Sequence, residues 1–216
     1  MAHKKVHYQL LYYLILEILK DIICQKDTLF AIDDYYPSKS QTESKKIDAV
    51  AESLFGLYGD RQARSRMRQD GQTVKMGFCA RGMCIVTGES FPSFAESRTA
   101  RALIIEMARG DIDLQLLSTI QSKKDKLSYC MKGYIQYIID NQDKIQKNCK
   151  YKFMEYRNKA NQNLAHGRIP EIVASEYIGI ELFYEYAKEK GVITEERMKQ
   201  MKEDAWKILM KVAIKQ

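Results

Sequence analysis

The sequence predicts an α/β core followed by an α-helical C-terminal domain, and three observations carry that prediction. Thr28 to Ile32 is a short apolar run of strand-forming residues that ends at two acids, Asp33 and Asp34, with Pro37 just beyond. Two further apolar runs, Met83 to Thr87 and Ala102 to Met107, come after an intervening helical pattern, so strand and helix signals alternate in the first half. From Asp111 onward there is no strand signal, and apolar residues recur only at helical spacing. The organisation that follows is a leader over residues 1–25, an α/β core over 26–124 and a helical domain over 125–216.

In the leader, Leu10, Leu11, Leu14, Ile15, Ile18, Leu19, Ile22 and Ile23 share one helical face. Glu17, Lys20 and Asp21 interrupt the apolar run, which argues against a secretory signal or a bilayer span and for an amphipathic helix that covers the sheet or a partner. Thr28–Ile32 shows no apolar–polar alternation, so the expected strand is central and covered on both faces. Its carboxyl end is where open α/β sheets bind ligands, and the hard oxygens of Asp33 and Asp34 suit magnesium carrying nucleotide phosphates. The competing reading is a solvated strand-to-loop exit.

After a loop over Tyr35–Gln41, Ile47, Val50, Ala51, Leu54, Phe55 and Tyr58 fall on one face of a helix expected over Thr42–Tyr58, with Gly59 placed to stop it. Arg61, Arg64, Arg66 and Arg68 then crowd ahead of a turn signal at Asp70-Gly71. Guanidinium forks suit phosphate oxygens, which makes the cluster a candidate contact for a nucleic-acid backbone or a neighbouring subunit's nucleotide; Lys75 and Arg81 could extend it. The alternative is a plain exposed loop. Thr87 ends the second strand before Gly88 and Glu89, where a hydroxyl could orient an attacking water or merely close the strand. Arg98 and Arg101 lie three apart, so one helical turn points both the same way, toward a transferring phosphoryl group or toward Glu96 and Glu106.

The segments F-A-I-D-D-Y-Y-P, Y-G-D-R-Q-A-R-S-R-M-R-Q-D-G, R-G-M-C-I-V-T-G-E and E-S-R-T-A-R-A-L-I-I-E-M together resemble the back half of a P-loop/AAA+-like ATPase domain. The resemblance is to primase-helicase-like proteins of phages and integrative elements, a family of unknown function, and runs from about Lys26 toward the C-terminus. It implies a partial P-loop NTPase-like core with a mainly parallel sheet. It also implies catalytic roles for Asp34, Thr87, Arg98 and Arg101, nucleotide-cofactor contacts from Asp33 and Asp34, and Asp33 as a magnesium ligand. Intact relatives of this kind use ATP and magnesium. Their phosphates are cradled by a Gly-rich loop ending in Gly-Lys, and no Gly-Lys dipeptide occurs in these 216 residues. The expectation is therefore a truncated, split or degenerate relative that does not hydrolyse ATP alone. Its expected partners are DNA and further copies of itself or a complementing ATPase fragment, in the cytoplasm and off the membrane. The alternative is a non-catalytic nucleic-acid-binding or assembly subunit.

In the helical part, apolar spacing predicts helices over Leu127–Ile145 and Tyr151 to about Leu164, another opened by Pro170 and stopped by Gly191, and a last one capped by Thr194 and running through Ala213. Between Lys144 and Arg168 seven basic residues accompany one acid, Glu155, with Tyr151, Phe153 and Tyr156 interleaved. Such a mixture can hold single strands, but aromatics at this spacing are first expected in a helix core. The net charge is +7, from 35 basic and 28 acidic side chains. Divided after Lys124, the front carries 18 basic and 15 acidic residues and the rear 17 and 13, so the excess is dispersed. Five cysteines without a Cys-x-x-Cys pair, and three histidines, point to reduced thiols rather than disulfides or zinc.

Overall fold

The structure is a computed structural model that describes residues 28–35, 41–60, 66–67, 74–75, 81–90, 99–164 and 167–216. The expected leader helix lies outside these residues. The chain forms two compact units, Met1–Ala102 and Leu103–Gln216.

The first unit combines α and β elements. Strand β1 (Thr28–Tyr35) is followed by helix α1 (Gln41–Asp60), then by β2 (Arg66–Met67), β3 (Val74–Lys75) and β4 (Gly82–Gly88). The acid-ended strand and the threonine-ended strand pair side by side and parallel, in a register that sets Phe30 opposite Cys84 and Ile32 opposite Val86. Short β2 and β3 pair antiparallel, Arg66 with Lys75 and Met67 with Val74, bracketing Asp70-Gly71. A parallel pair needs a long crossover, and α1 lies within that connection.

Three expectations need correction here. The first strand does not end at the acid pair. It runs through it to Tyr35, with the register shifting between Ile32 and Tyr35. Nor is β1 covered on both faces: Phe30 and Ile32 are half-buried while Leu29 and Ala31 are exposed, and in β4 only Cys84 is half-buried, with Met83, Ile85 and Val86 exposed. Only β4 flanks β1 among the described residues. Finally, Ala102–Met107 is not a strand; the segment is irregular, with Ile105 and Met107 exposed and no described strand for its backbone to pair with.

Helix α1 packs on β4. Among its described side chains Ala51 and Leu57 are buried, and the Tyr58 pKa is raised first by burial and then by nearby Cys84. Gly59 falls inside the helix rather than beyond it, and the stem of Arg101 crosses it there. A Cβ at Gly59 would lie 2.6–2.9 Å from the Arg101 side-chain carbons.

The second unit is helical: α2 (Leu114–Ser122), α3 (Lys124–Asp140), α4 (Gln142–Asn161), α5 (Ile169–Glu189) and α6 (Glu195–Ile214). α2 was not expected; the Asp113 carboxylate caps it by accepting from the amides of Gln115 and Leu116, both at 2.9 Å. The helix expected over Leu127–Ile145 divides at Asn141, whose amide side chain donates to the Tyr137 carbonyl at 2.9 Å and closes α3. Pro170 sits in the first turn of α5. Gly191, at φ +70°, closes α5 with paired bonds from its own amide to Lys188 O and from the Val192 amide to Ala187 O. Thr194 accepts from the Arg197 amide at 3.2 Å and opens α6.

The core of this unit lies among α4, α5 and α6. Ala160, Val173, Ala174, Ala205 and Ala213 are buried there, and these small side chains let the helices approach closely. Tyr177, Ile178, Leu209 and Met210 fill the layer.

Candidate functional site

The parallel register of β1 and β4 carries Asp33, Asp34 and Thr87 to one strand tip. Thr87 Oγ1 donates to Asp33 Oδ1 at 2.5 Å and accepts from the Asp34 amide at 3.1 Å. Asp34 has φ +62°, the left-handed region that aspartate tolerates better than most residues, and this kink absorbs the register shift before Tyr35. The chain returns to pairing through Tyr35 O, which accepts from the Glu89 amide at 3.3 Å. Gly88 is required beside it, since a Cβ there would sit 2.6 Å from Tyr35 O and 2.8 Å from Tyr35 Cβ.

Tyr35 anchors the tip to α1. Its hydroxyl donates to Asp48 Oδ1 at 2.7 Å; burial, and then this bond to a carboxylate, push its pKa far above the tyrosine norm. The tyrosine is therefore a fixed donor and not a proton carrier. Asp33, Asp34, Thr87 and Glu89 are all exposed. Asp33 and Asp34 are the oxygen donors available to a cation; among the described residues no group of three or more metal-ligating side chains is arranged around one point.

Of the other expected site residues, Arg101 belongs to the turn after Thr99, where the Ala102 amide bonds Thr99 O at 3.1 Å; its stem lies on Gly59, and its Nε and Nη1 are buried. Arg61, Arg64, Arg68 and Arg98 lie outside the described residues, and of Arg66 only the backbone, in β2, is described.

The basic, aromatic stretch of the second unit separates into two faces of α4. Inward, Lys152 meets Glu181 at 3.2 Å and Glu185 at 3.4 Å, and the Tyr156 hydroxyl donates to Glu181 at 2.8 Å. Burial alone would depress the Lys152 ammonium's pKa, but the two carboxylates outweigh it and hold it above the usual lysine value. Arg157 pairs with Glu171 at 3.5 Å, and Lys159 lies 4.3 Å from the centre of the Trp206 ring. Outward, Lys144, Lys147, Lys150 and Tyr151 are exposed. The expectation that the aromatics are core is right for Tyr156, which stacks edge-on against Tyr177 at 4.8 Å, and wrong for Tyr151.

Buried Glu181 was not singled out in the sequence. Nothing marks it there except its place four residues after Tyr177 and three after Ile178, on the apolar side of α5. Lined by residues of α3, α4 and α5, including Tyr137, Asn141, Lys144, Lys152 and Glu185, a small cavity of about 30 Å³ has room for a water or two. Among the described residues no helix is long and apolar enough to cross a membrane. Comparison of the chain with protein-family models, curated proteins and solved structures returns no significant match.

Proposed function

We propose that this chain is a degenerate relative of mobile-element primase-helicase ATPases, working in the cytoplasm and unable to turn over ATP by itself. The observation that supports this best is the parallel pairing of an acid-tipped strand with a threonine-tipped one, with Thr87 hydrogen-bonded to Asp33. In nucleotide hydrolases an acid at such a tip holds magnesium and a polar side chain orients water. Here Asp33 and Asp34 offer the hard oxygens for a magnesium ion carrying ATP, as in intact relatives. The same hydrogen bonds argue against turnover. The Thr87 proton is committed to Asp33, and one of its lone pairs is committed to the Asp34 amide. No Gly-Lys loop is present in these residues to cradle the β- and γ-phosphates. Phosphate release from magnesium-ATP should therefore stay at the background rate, whether or not the nucleotide binds. Sustained release that Asp33→Ala abolishes would overturn the reading.

A second reading, a non-catalytic nucleic-acid-binding or assembly subunit, is favoured by the outward lysines of α4. Lys144, Lys147 and Lys150 flank exposed Tyr151 and make no ion pair among the described residues, while the inward cations of the same helix are engaged. Single-stranded DNA would pair its phosphates with these lysines and stack a base on the tyrosine. Filter binding should weaken steeply with salt, and replacing Lys147 and Lys150 by alanine should flatten the log–log slope by about 1.4. DNA retention that is absent even at low salt contradicts this reading.

A further inference from the structure

Among the described residues, the least satisfied apolar surface lies at the start of the helical unit. α2 is amphipathic, with Leu114, Leu116, Leu117 and Ile120 on one side and Gln115, Ser118, Thr119 and Ser122 on the other, yet none of its residues is buried. A nine-residue helix in water is unstable unless its apolar side is packed. The same exposure continues along α3. One face of α3 is anchored on α5 through Tyr134 against Phe183 at 5.4 Å and Tyr137 against Tyr186 at 5.7 Å. A second face presents Leu127, Met131, Ile135 and Ile139, each more than half exposed.

We propose that the α2–α3 face is the contact by which two copies of this chain associate. Two features of the face select a second copy. The α3 residues recur every four positions and so form a single ridge, and ridges of this kind interdigitate with one another across helices. This ridge is also symmetric about its own midpoint: when two copies meet antiparallel across a two-fold axis, Leu127 comes opposite Ile139 and Met131 opposite Ile135, so one surface serves as its own complement. The area agrees. At roughly 100 Å² of exposed surface apiece, the eight leucine, isoleucine and methionine residues of α2 and α3 offer about 800 Å² per copy, which is what a standard-size interface buries on each side. The interface stands on the helical unit alone and holds whether or not the strand tip of the other unit binds nucleotide.

Sedimentation equilibrium of the full chain tests this. The expected mass is twice the 25.2 kDa of the chain. Met131→Lys with Ile135→Lys puts two charges at the centre of the contact and should weaken association by roughly 100-fold or more. Leu117→Lys with Ile120→Lys on α2 does the same from the other helix, so the test does not depend on one variant. All four positions are exposed or nearly so, and both double variants should keep the helical circular dichroism and Trp206 fluorescence of the parent. A chain that is monomeric at tens of micromolar overturns the proposal, because the face is then covered within one molecule or tolerated bare. A dimer that neither double variant weakens overturns it equally, since association then uses another face.

Discussion

Replacing Glu181 by alanine should destabilise the helical unit by about 3 kcal/mol, and the figure can be built from its contacts. The carboxylate is 5% exposed and sits between α4 and α6. Its Oε2 accepts from the Tyr156 hydroxyl at 2.8 Å and from Lys152 Nζ at 3.2 Å; its Oε1 meets Lys202 Nζ at 3.2 Å. Loss of the charged acceptor leaves the Tyr156 hydroxyl stranded among packed rings, worth about 1.5 kcal/mol. The two ammonium groups keep Glu185 at 3.4 and 3.3 Å and are themselves partly solvated, so their share is only about 1 kcal/mol together. The vacated methylenes add roughly another 0.5–1 kcal/mol. For a unit of this size the sum lowers the melting temperature by about 10 °C. Glu181→Gln keeps an acceptor for Tyr156 and should cost about 1 kcal/mol. The assay is urea unfolding followed by Trp206, the chain's one tryptophan, whose ring stands 5.0 Å from that of Tyr177 inside the same cluster. An alanine variant that unfolds within about 0.5 kcal/mol of the parent would mean that Glu181 behaves as a surface residue, since surface substitutions fall in that range.

The pKa of Tyr177 is pushed up to about 12, first by burial and then by Glu181 and Glu203. The unfolded chain loses this proton near pH 10 while the folded chain keeps it, so stability is fully present below pH 10 and declines as pH rises toward 12; Tyr177→Phe should flatten that decline in alkaline unfolding curves. Burial raises the Cys84 thiol to about 11, whereas Cys130 is exposed. Site-resolved alkylation at neutral pH should be roughly 100-fold slower at Cys84, and equal rates would mean that β4 is not covered by α1. At the strand tip, Asp34→Gly should be tolerated while Asp34→Val should cost about 1–2 kcal/mol, because only the second strains the left-handed backbone; faster Cys84 alkylation in the valine variant reads the loss.

The parts of this fold legible in the sequence are those set by local chemistry. Pro170, Gly191 and Thr194 each fix a helix end through a donor, an acceptor or a φ preference of their own, and the structure places all three where expected. The strand tip was legible as a juxtaposition, since an acid-ended and a threonine-ended run joined by a helix favour parallel pairing. What the sequence hid depends on partners distant in the chain. Ala102–Met107 has strand-forming residues but no described neighbour to pair with, and propensity does not supply one. Asn141 looks like an ordinary polar position, and its bond to the Tyr137 carbonyl is what splits the predicted helix. Gly88 and Gly59 are similarly silent until Tyr35 and Arg101 are seen beside them.

Steady-state phosphate release from magnesium-ATP by the purified chain, compared with its Asp33→Ala variant, shows whether the strand tip hydrolyses nucleotide. With the Thr87 hydroxyl tied to Asp33 and no Gly-Lys dipeptide in these 216 residues to hold the β- and γ-phosphates, the two proteins should release phosphate at the same background rate. Sustained turnover by the parent that disappears in Asp33→Ala would contradict the account, because the strand tip would then be a working catalytic site.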